Sequence, residues 1–274
     1  MSQTIVQVDA FTDTPFLGNP AAVCITPGPV DEGWMKGLAR EMNLSETAFL
    51  HPVADGYSLR WLTPIVEVDL CGHATLASAH VLWEDGHLPP DQPARFQTRS
   101  GLLTAERSPD GWITLDFPAR PVLRPAGPAE VETLKGILGA KPASAWINAY
   151  DMVVEFGSES IVRGLRPDFT RLKRLAVRGV IATARAETPG YDFVSRFFAP
   201  AAGIDEDPVT GSAHACLGPF WAERFDQSEF VAYQASERGG VVRVAVNGDR
   251  VKLGGQAVTV LRAELTAGAR PTSR

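Results

Sequence analysis

The chain has 274 residues, of which 45% are apolar and 21% charged, and its formal net charge is −6. The length predicts two domains, the apolar share fills two ordinary cores, and the charge balance excludes a disordered chain. The negative sum and the lack of any Lys/Arg block exclude nucleic acid as a main partner, because phosphate binding needs clustered positive charge; a small anionic organic substrate stays compatible with a local site.

The opening MSQTIVQVDAFTD has no basic segment followed by an apolar stretch, so it does not read as a secretory signal. No run reaches the roughly 18 apolar residues of a membrane helix. Cys24, Cys71 and Cys216 are widely spaced and form no Cys-x-x-Cys, which argues against a disulfide framework and a zinc site. A reduced, soluble, cytoplasmic protein is expected.

TIVQVDAF alternates apolar and polar residues and reads as a strand, LGNP at 17–20 as a turn, and AAVCIT as a second strand. A helix is expected from Asp31, a good N-cap, to Met42. ETAFLHPV and YSLRWLT are strands. Cys71–Gly86 is apolar nearly all round, the mark of a buried helix, and three strands follow it. The proline-rich 119–130 is the best linker in the chain.

Beyond it the order repeats. A helix is expected over Pro128–Leu138, then strands at SAWINA, MVVEF, GVIATARA and DFVSRFFA, then an apolar helix over Thr210–Phe225, then hairpins, one at Asn247-Gly248-Asp249. Pro219 lies inside that second apolar helix and predicts a kink or an end near Leu217-Gly218. The pattern predicts two α+β domains, 1–118 and 119–274, each a curved sheet wrapped around its own helix. The tail from Arg262 to Arg274 reads as frayed, although the extreme C-terminal strand has the option of joining the first half.

Chemistry-bearing residues gather where the two apolar helices begin, at Glu67–Thr75 and at Asp205–Ala213. The first helical N–H groups have no intrahelical partner and attract a carboxylate or a developing oxyanion. Capping is the alternative, since Ser212, Thr210 and Asp207 are N-cap types and His73 could serve the same way. Glu46 stands at the mouth of the ETAFLHPV strand. A carboxylate set against buried apolar surface is pushed toward its neutral form, and such an acid both takes and returns a proton near neutral pH. A solvated Glu46 in a turn is the equally open alternative.

VDAFTDTPFLGNPAAVC, NLSETAFL, LRWLTPIVEVDLCGHATLASA and RFFAPAAGIDEDPVTGSAHACLG, in this order from Val8 to Gly218, resemble the PhzF family of phenazine-biosynthesis-like isomerases. The resemblance implies a diaminopimelate epimerase-like fold: two pseudo-symmetric halves, each a barrel-like mixed sheet around a central apolar helix, with the active site between them. It implies Glu46 as the general acid/base, His73 and Asp207 as active-site polar groups, and Ser212 with Gly211, Gly72 and Asn19 as substrate-binding positions. It also implies a homodimer, a small carboxylate-bearing substrate, and neither metal nor organic cofactor. A two-base epimerase would need facing thiols. Cys71 stands at the first entrance, but the second offers Asp207, and Cys216 lies deeper in its helix. A serine hydrolase built on Ser212 lacks the Gly-x-Ser-x-Gly elbow, and His214 is two positions away, off the same helix face. A non-catalytic binding protein on this fold is a further alternative, which the presence of all four polar site residues disfavours.

Overall fold

A computed structural model describes residues 3–271. The chain divides into two compact units, the first running to Asp116 and resuming at Gly254, the second spanning Phe117–Leu253.

In the first unit, strand Thr4–Ala10 pairs antiparallel with Asn19–Ile25 and with the late strand Ala257–Glu264. The tail from Arg262 therefore begins as paired strand, and its residues 272–274 lie outside the described ones. Asn19, expected in a turn, is the first residue of its strand. Helix α1 (Glu32–Met42) follows, with the Asp31 carboxylate accepting from the Trp34 N–H. Strand Glu46–Val53 returns parallel to Asn19–Ile25 and pairs antiparallel with Gly56–Leu62. A short strand, Glu67–Val68, then leads to helix α2 (Gly72–Glu84).

Every residue of α2 from His73 to Ala79 is buried. Its polar members do not break the core, because the hydroxyls of Thr75 and Ser78 donate to the carbonyls of Cys71 and Ala74, one turn back. Ala74, Ala77 and Ala79 let the sheet approach closely, and Leu76 and Leu82, fully buried, each contribute about 1.5–3 kcal/mol. At Gly255 the returning chain passes so near the helix that a Cβ would stand 2.8 Å from Leu76 and 2.4 Å from Phe11.

The second unit repeats this scheme. Ser144–Ile147 pairs antiparallel with Asp151–Glu155, which runs parallel to Gly179–Arg185, which pairs antiparallel with Phe193–Ala199. A short strand, Ile204–Asp207, precedes the central apolar helix, as Glu67–Val68 precedes α2. Phe193–Ala199 also pairs parallel with Glu229–Gln234, matching the parallel pairing of Gly56–Leu62 with Ala94–Thr98 in the first unit. Helix α3 (Pro128–Leu138) falls where expected, while the two short helices α4 (Glu159–Gly164) and α5 (Phe169–Leu172) were not. Their apolar residues Val162 and Leu172 complete a core with Leu134, Ile137, Val154 and Phe198.

Two expectations give way here. Segment 119–130 is not a free linker. The N–H groups of Ala119, Leu123 and Ala126 donate to Asp249, Ile147 and Ala145, so the segment is strapped along the second unit. The central helix of this unit, α6 (Gly211–Phe225), runs through Pro219 without ending. Proline removes the N–H that would bond the Ala215 carbonyl, and the Arg120 N–H fills that place at 3.0 Å. The strap thus satisfies the carbonyl that the proline leaves. The option held by the C-terminal strand is the one taken: it completes the first unit's sheet, so the second half ends at Leu253.

Buried Glu159 ties the loop after Gly179–Arg185 to α4. Its carboxylate accepts from the N–H groups of Glu187 and Thr188, from the Thr188 hydroxyl and from Arg163. Burial opposes the charge, but these donors outweigh it and hold the carboxyl at about 2. A folded-state value below the unfolded one stabilises at every pH above the unfolded value and is lost as pH falls toward about 2. The contribution is on the order of 3 kcal/mol. Glu159→Gln should lower the melting temperature at pH 7 and flatten its fall between pH 4.5 and 2; a parallel pair of Tm–pH curves would contradict this.

Candidate active site

Within the first unit, Glu46 opens its strand and reaches the second residue of α2: its Oε2 lies 3.1 Å from His73 Nε2. The other ring nitrogen, Nδ1, meets the Asn19 amide nitrogen at 3.1 Å and the Cys71 sulfur at 3.5 Å. Three sequence-predicted residues, Asn19, Glu46 and His73, therefore form one line, buried at Asn19 and His73 and half-buried at Glu46, and Gly72 is the first residue of the helix beside it. Gly18, at φ 65°, turns the chain into Asn19; a Cβ there would stand 2.2 Å from the Ala10 carbonyl oxygen.

Burial pushes the His73 imidazolium down, but the Cys71 sulfur and the Glu46 carboxylate outweigh it and raise the ring well above an ordinary histidine. Cys71 is itself pushed up to about 11, by burial first and by the charge of Glu46 second. Its thiol is neutral near pH 7, so the charge that acts on His73 is that of Glu46. With Nδ1 accepting from Asn19, the ring proton sits on Nε2, which stands at ion-pair distance from Glu46 Oε2 without being aligned as a hydrogen bond; a half-turn of the Asn19 amide offers its oxygen when both nitrogens carry protons. Glu46 and His73 thus form a close carboxylate–imidazole pair at the helix entrance.

Cys71, weighed from the sequence as an epimerase thiol, belongs to this cluster. Donor atoms of Glu46, Cys71 and His73 lie within 4.8 Å of one another, a set of O, S and N that suits a thiophilic divalent cation. The two ring nitrogens of His73, however, face Cys71 and Glu46 on opposite sides, so no single nitrogen serves both where they stand.

In the second unit, Asp207 ends its strand and accepts the Thr210 hydroxyl at 2.5 Å. Gln234 locks this turn: its Oε1 accepts the Thr210 N–H at 2.8 Å, and its Nε2 donates to the Asp207 carbonyl at 2.7 Å. Gly211 and Ser212 are the first residues of α6. The Ser212 hydroxyl accepts from Arg178 at 3.0 Å, and Arg178 is held in a fork by buried Asp151. Arg178 and Asp151 were not among the expected site residues; the signal lay in a charged residue at the mouth of a strand, as with Glu46, though one residue earlier.

The capping alternative fails at both entrances. Cys71 and Thr210 occupy the N-cap positions and neither makes a side-chain cap bond. The Thr210 hydroxyl is committed to Asp207, and Ser212 and His73 lie inside their helices. The hydrolase arrangement is absent too. Buried His214 turns Nδ1 to the Thr210 carbonyl, and burial pushes it down to about 4, so it is a neutral structural residue. Cys216 accepts from the Asn148 amide and is pushed up to about 12 by burial.

In each unit mixed parallel and antiparallel strands pack on a buried helix whose entrance carries polar groups and no side-chain cap, an α+β fold of the epimerase kind. The phenazine biosynthesis-like protein family matches residues 8–263, and the chain belongs to that family. An uncharacterized isomerase of Halalkalibacterium halodurans is 53% identical over 97% of this chain and 99% of its own length. The human phenazine biosynthesis-like domain-containing protein is 38% identical over 97% of this chain and 100% of its own. A PhzF family crystal structure from Enterococcus faecalis superposes with a TM-score of 0.90 at 40% identity, covering 97% of this chain and 100% of that one. A hydroxyproline epimerase from Agrobacterium vitis shares the fold, with a TM-score of 0.62 at 12% identity over 96% of this chain and 92% of its own. The chain is a PhzF-like isomerase, and no helix among its described residues is long and apolar enough to cross a membrane.

Proposed function

We propose that this isomerase moves a proton between two carbons of a small carboxylate-bearing substrate, with Glu46 as the single proton carrier and without a cofactor. The observation that carries this reading is the 3.1 Å contact of Glu46 with His73 at a helix entrance that no side chain caps. Cyclic unsaturated acids are the substrates of first choice, because their conjugation spreads the charge left by a departing proton. Deprotonated Glu46 takes a carbon-bound proton; His73 stabilises the charge that develops, and protonated Glu46 returns the proton to a second carbon. Asp207 hydrogen-bonds a polar substituent, while Ser212 and the amides of Gly211 and Ser212 hold the carboxylate.

A two-base epimerisation is supported less well. Cys71 is near the chemistry, but the second thiol, Cys216, is buried and bonded to Asn148. A homodimer in the cytoplasm completes the proposal, and sedimentation equilibrium measures the first part of it.

The test is exchange in heavy water. Cyclic unsaturated carboxylates, a dihydro-hydroxyanthranilate among them, are incubated with the wild type and with Glu46→Gln, and carbon-bound positions are followed by NMR. Exchange confined to the wild type supports the reading; equal exchange by both proteins sinks it.

A further inference from the structure

The two units share a scheme strand by strand, so equivalent positions can be compared. In the first, parallel strands place Ala21 opposite Glu46; in the second, they place Asp151 opposite Gly179. Arg178 stands one residue ahead of that step. The second helical residue is His73 in α2 and Ser212 in α6. One contact therefore occurs twice, a charged side chain from the mouth of a parallel strand meeting the second residue of the central helix. In the first unit it joins carboxylate to imidazole at 3.1 Å, in the second guanidinium to hydroxyl at 3.0 Å. The charge is reversed between them.

That reversal fixes the direction of the Ser212 hydrogen bond. A guanidinium has donors only, so the Ser212 oxygen must accept, and its own hydrogen points away from Arg178. Such a hydroxyl, with a cation behind it, offers a donor to an acceptor that carries negative charge. Asp151 holds Nε and Nη2 of Arg178, while Nη1 makes no hydrogen bond among the described residues and the side chain is 35% exposed. Arg120 and Arg178 both lie over the ring of Tyr150, at 4.7 and 5.9 Å. Arg178 is thus held by one carboxylate and one aromatic face, with an edge left over beside Ser212.

We propose that Arg178 is a specificity-determining residue that makes Ser212 and its own free edge into a site for a carboxylate, the anion-binding counterpart of Glu46. The inference deepens the function proposed above by naming the group that selects acids over neutral analogues. A plain structural role for Arg178 would weaken every ligand alike, whereas this one weakens anions only.

The test uses 2-aminobenzoate and its neutral isostere 2-aminobenzamide as probes, titrated calorimetrically into the full chain. Binding is read without turnover, so the outcome is independent of whether Glu46 carries a proton. The wild type should bind the acid at least about tenfold more tightly than the amide. Arg178→Met and Ser212→Ala should each remove most of that preference by weakening the acid alone, and Arg178→Lys, which keeps the charge and loses the fork, should retain part of it. Where Arg178→Met fails to fold because Asp151 is left unpaired, Ser212→Ala and Arg178→Lys decide the matter. A wild type with no preference for the acid overturns the proposal, as does a Ser212→Ala or Arg178→Met protein that keeps the full preference.

Discussion

Glu46→Gln is expected to lower carbon-bound proton exchange by a factor of about 10²–10⁴ while leaving the fold intact. Glutamine has the shape of glutamate, and the position pairs through its backbone with Ala21, so the strand has no reason to move. What changes is chemistry: an amide neither takes nor returns a proton. His73 changes with it, because the carboxylate that raises its proton affinity is gone and burial then pulls it down. Glu46→Asp keeps the charge but withdraws it by one methylene from His73, now 3.1 Å away, and should lose part of the rate through misplacement alone. Equal melting temperatures for the three proteins, with rates ordered wild type, Asp, Gln, are the expected pattern. A Gln variant at the wild-type rate would remove Glu46 from the mechanism.

The readable part of this protein was whatever has a local cause. The central helices were visible because α2 and α6 are apolar on all sides, and α1 and α3 because a capping residue or a proline stands at each start. Glu46, His73 and Asn19 were each legible only as fragments of a motif. Their meeting depends on two chain separations, 19 to 73 and 46 to 73, that no periodicity encodes. Cys71 is both buried and a member of the cluster, a combination that its place in the sequence does not reveal. Arg178 was missed because its value comes from Ser212, 34 residues on, and from the repeat of one contact with the opposite charge. The Pro219 expectation went wrong for a similar reason: the rule about the lost N–H was right, but the donor that replaces it comes from Arg120, far away in sequence. Likewise the boundary near 118 was marked by proline, whereas the return of the chain at Gly254 is marked only by strand pairing.

Arg196→Met should be among the most destabilising single changes, at about 3–5 kcal/mol. Arg196, with its side chain 8% exposed, forms a fork with Glu206 at 2.7 Å on both arms. Its remaining nitrogen donates to the carbonyls of Val162, Arg163 and Leu165, at and just beyond the end of α4, where a cation also suits the helix dipole. Methionine fills much of the volume and supplies none of these donors. It strands the Glu206 carboxylate and the Arg163 carbonyl, while Val162 and Leu165 keep donors in the Leu165 N–H and the Arg166 guanidinium, and such orphans, more than the lost ion pair itself, set the cost. The total stability of a domain is about 5–15 kcal/mol, so the loss is a large fraction of it. It should also reach the site, because Glu206 adjoins Asp207 on the strand that Arg196 pins. Urea unfolding measures the first effect. The double variant Arg196→Met with Glu206→Met separates the causes, since removing the stranded carboxylate should restore part of the stability while the Arg163 carbonyl stays without its donor. If the single variant loses less than about 1 kcal/mol, the range typical of an exposed ion pair, the buried pair does not hold this strand in place.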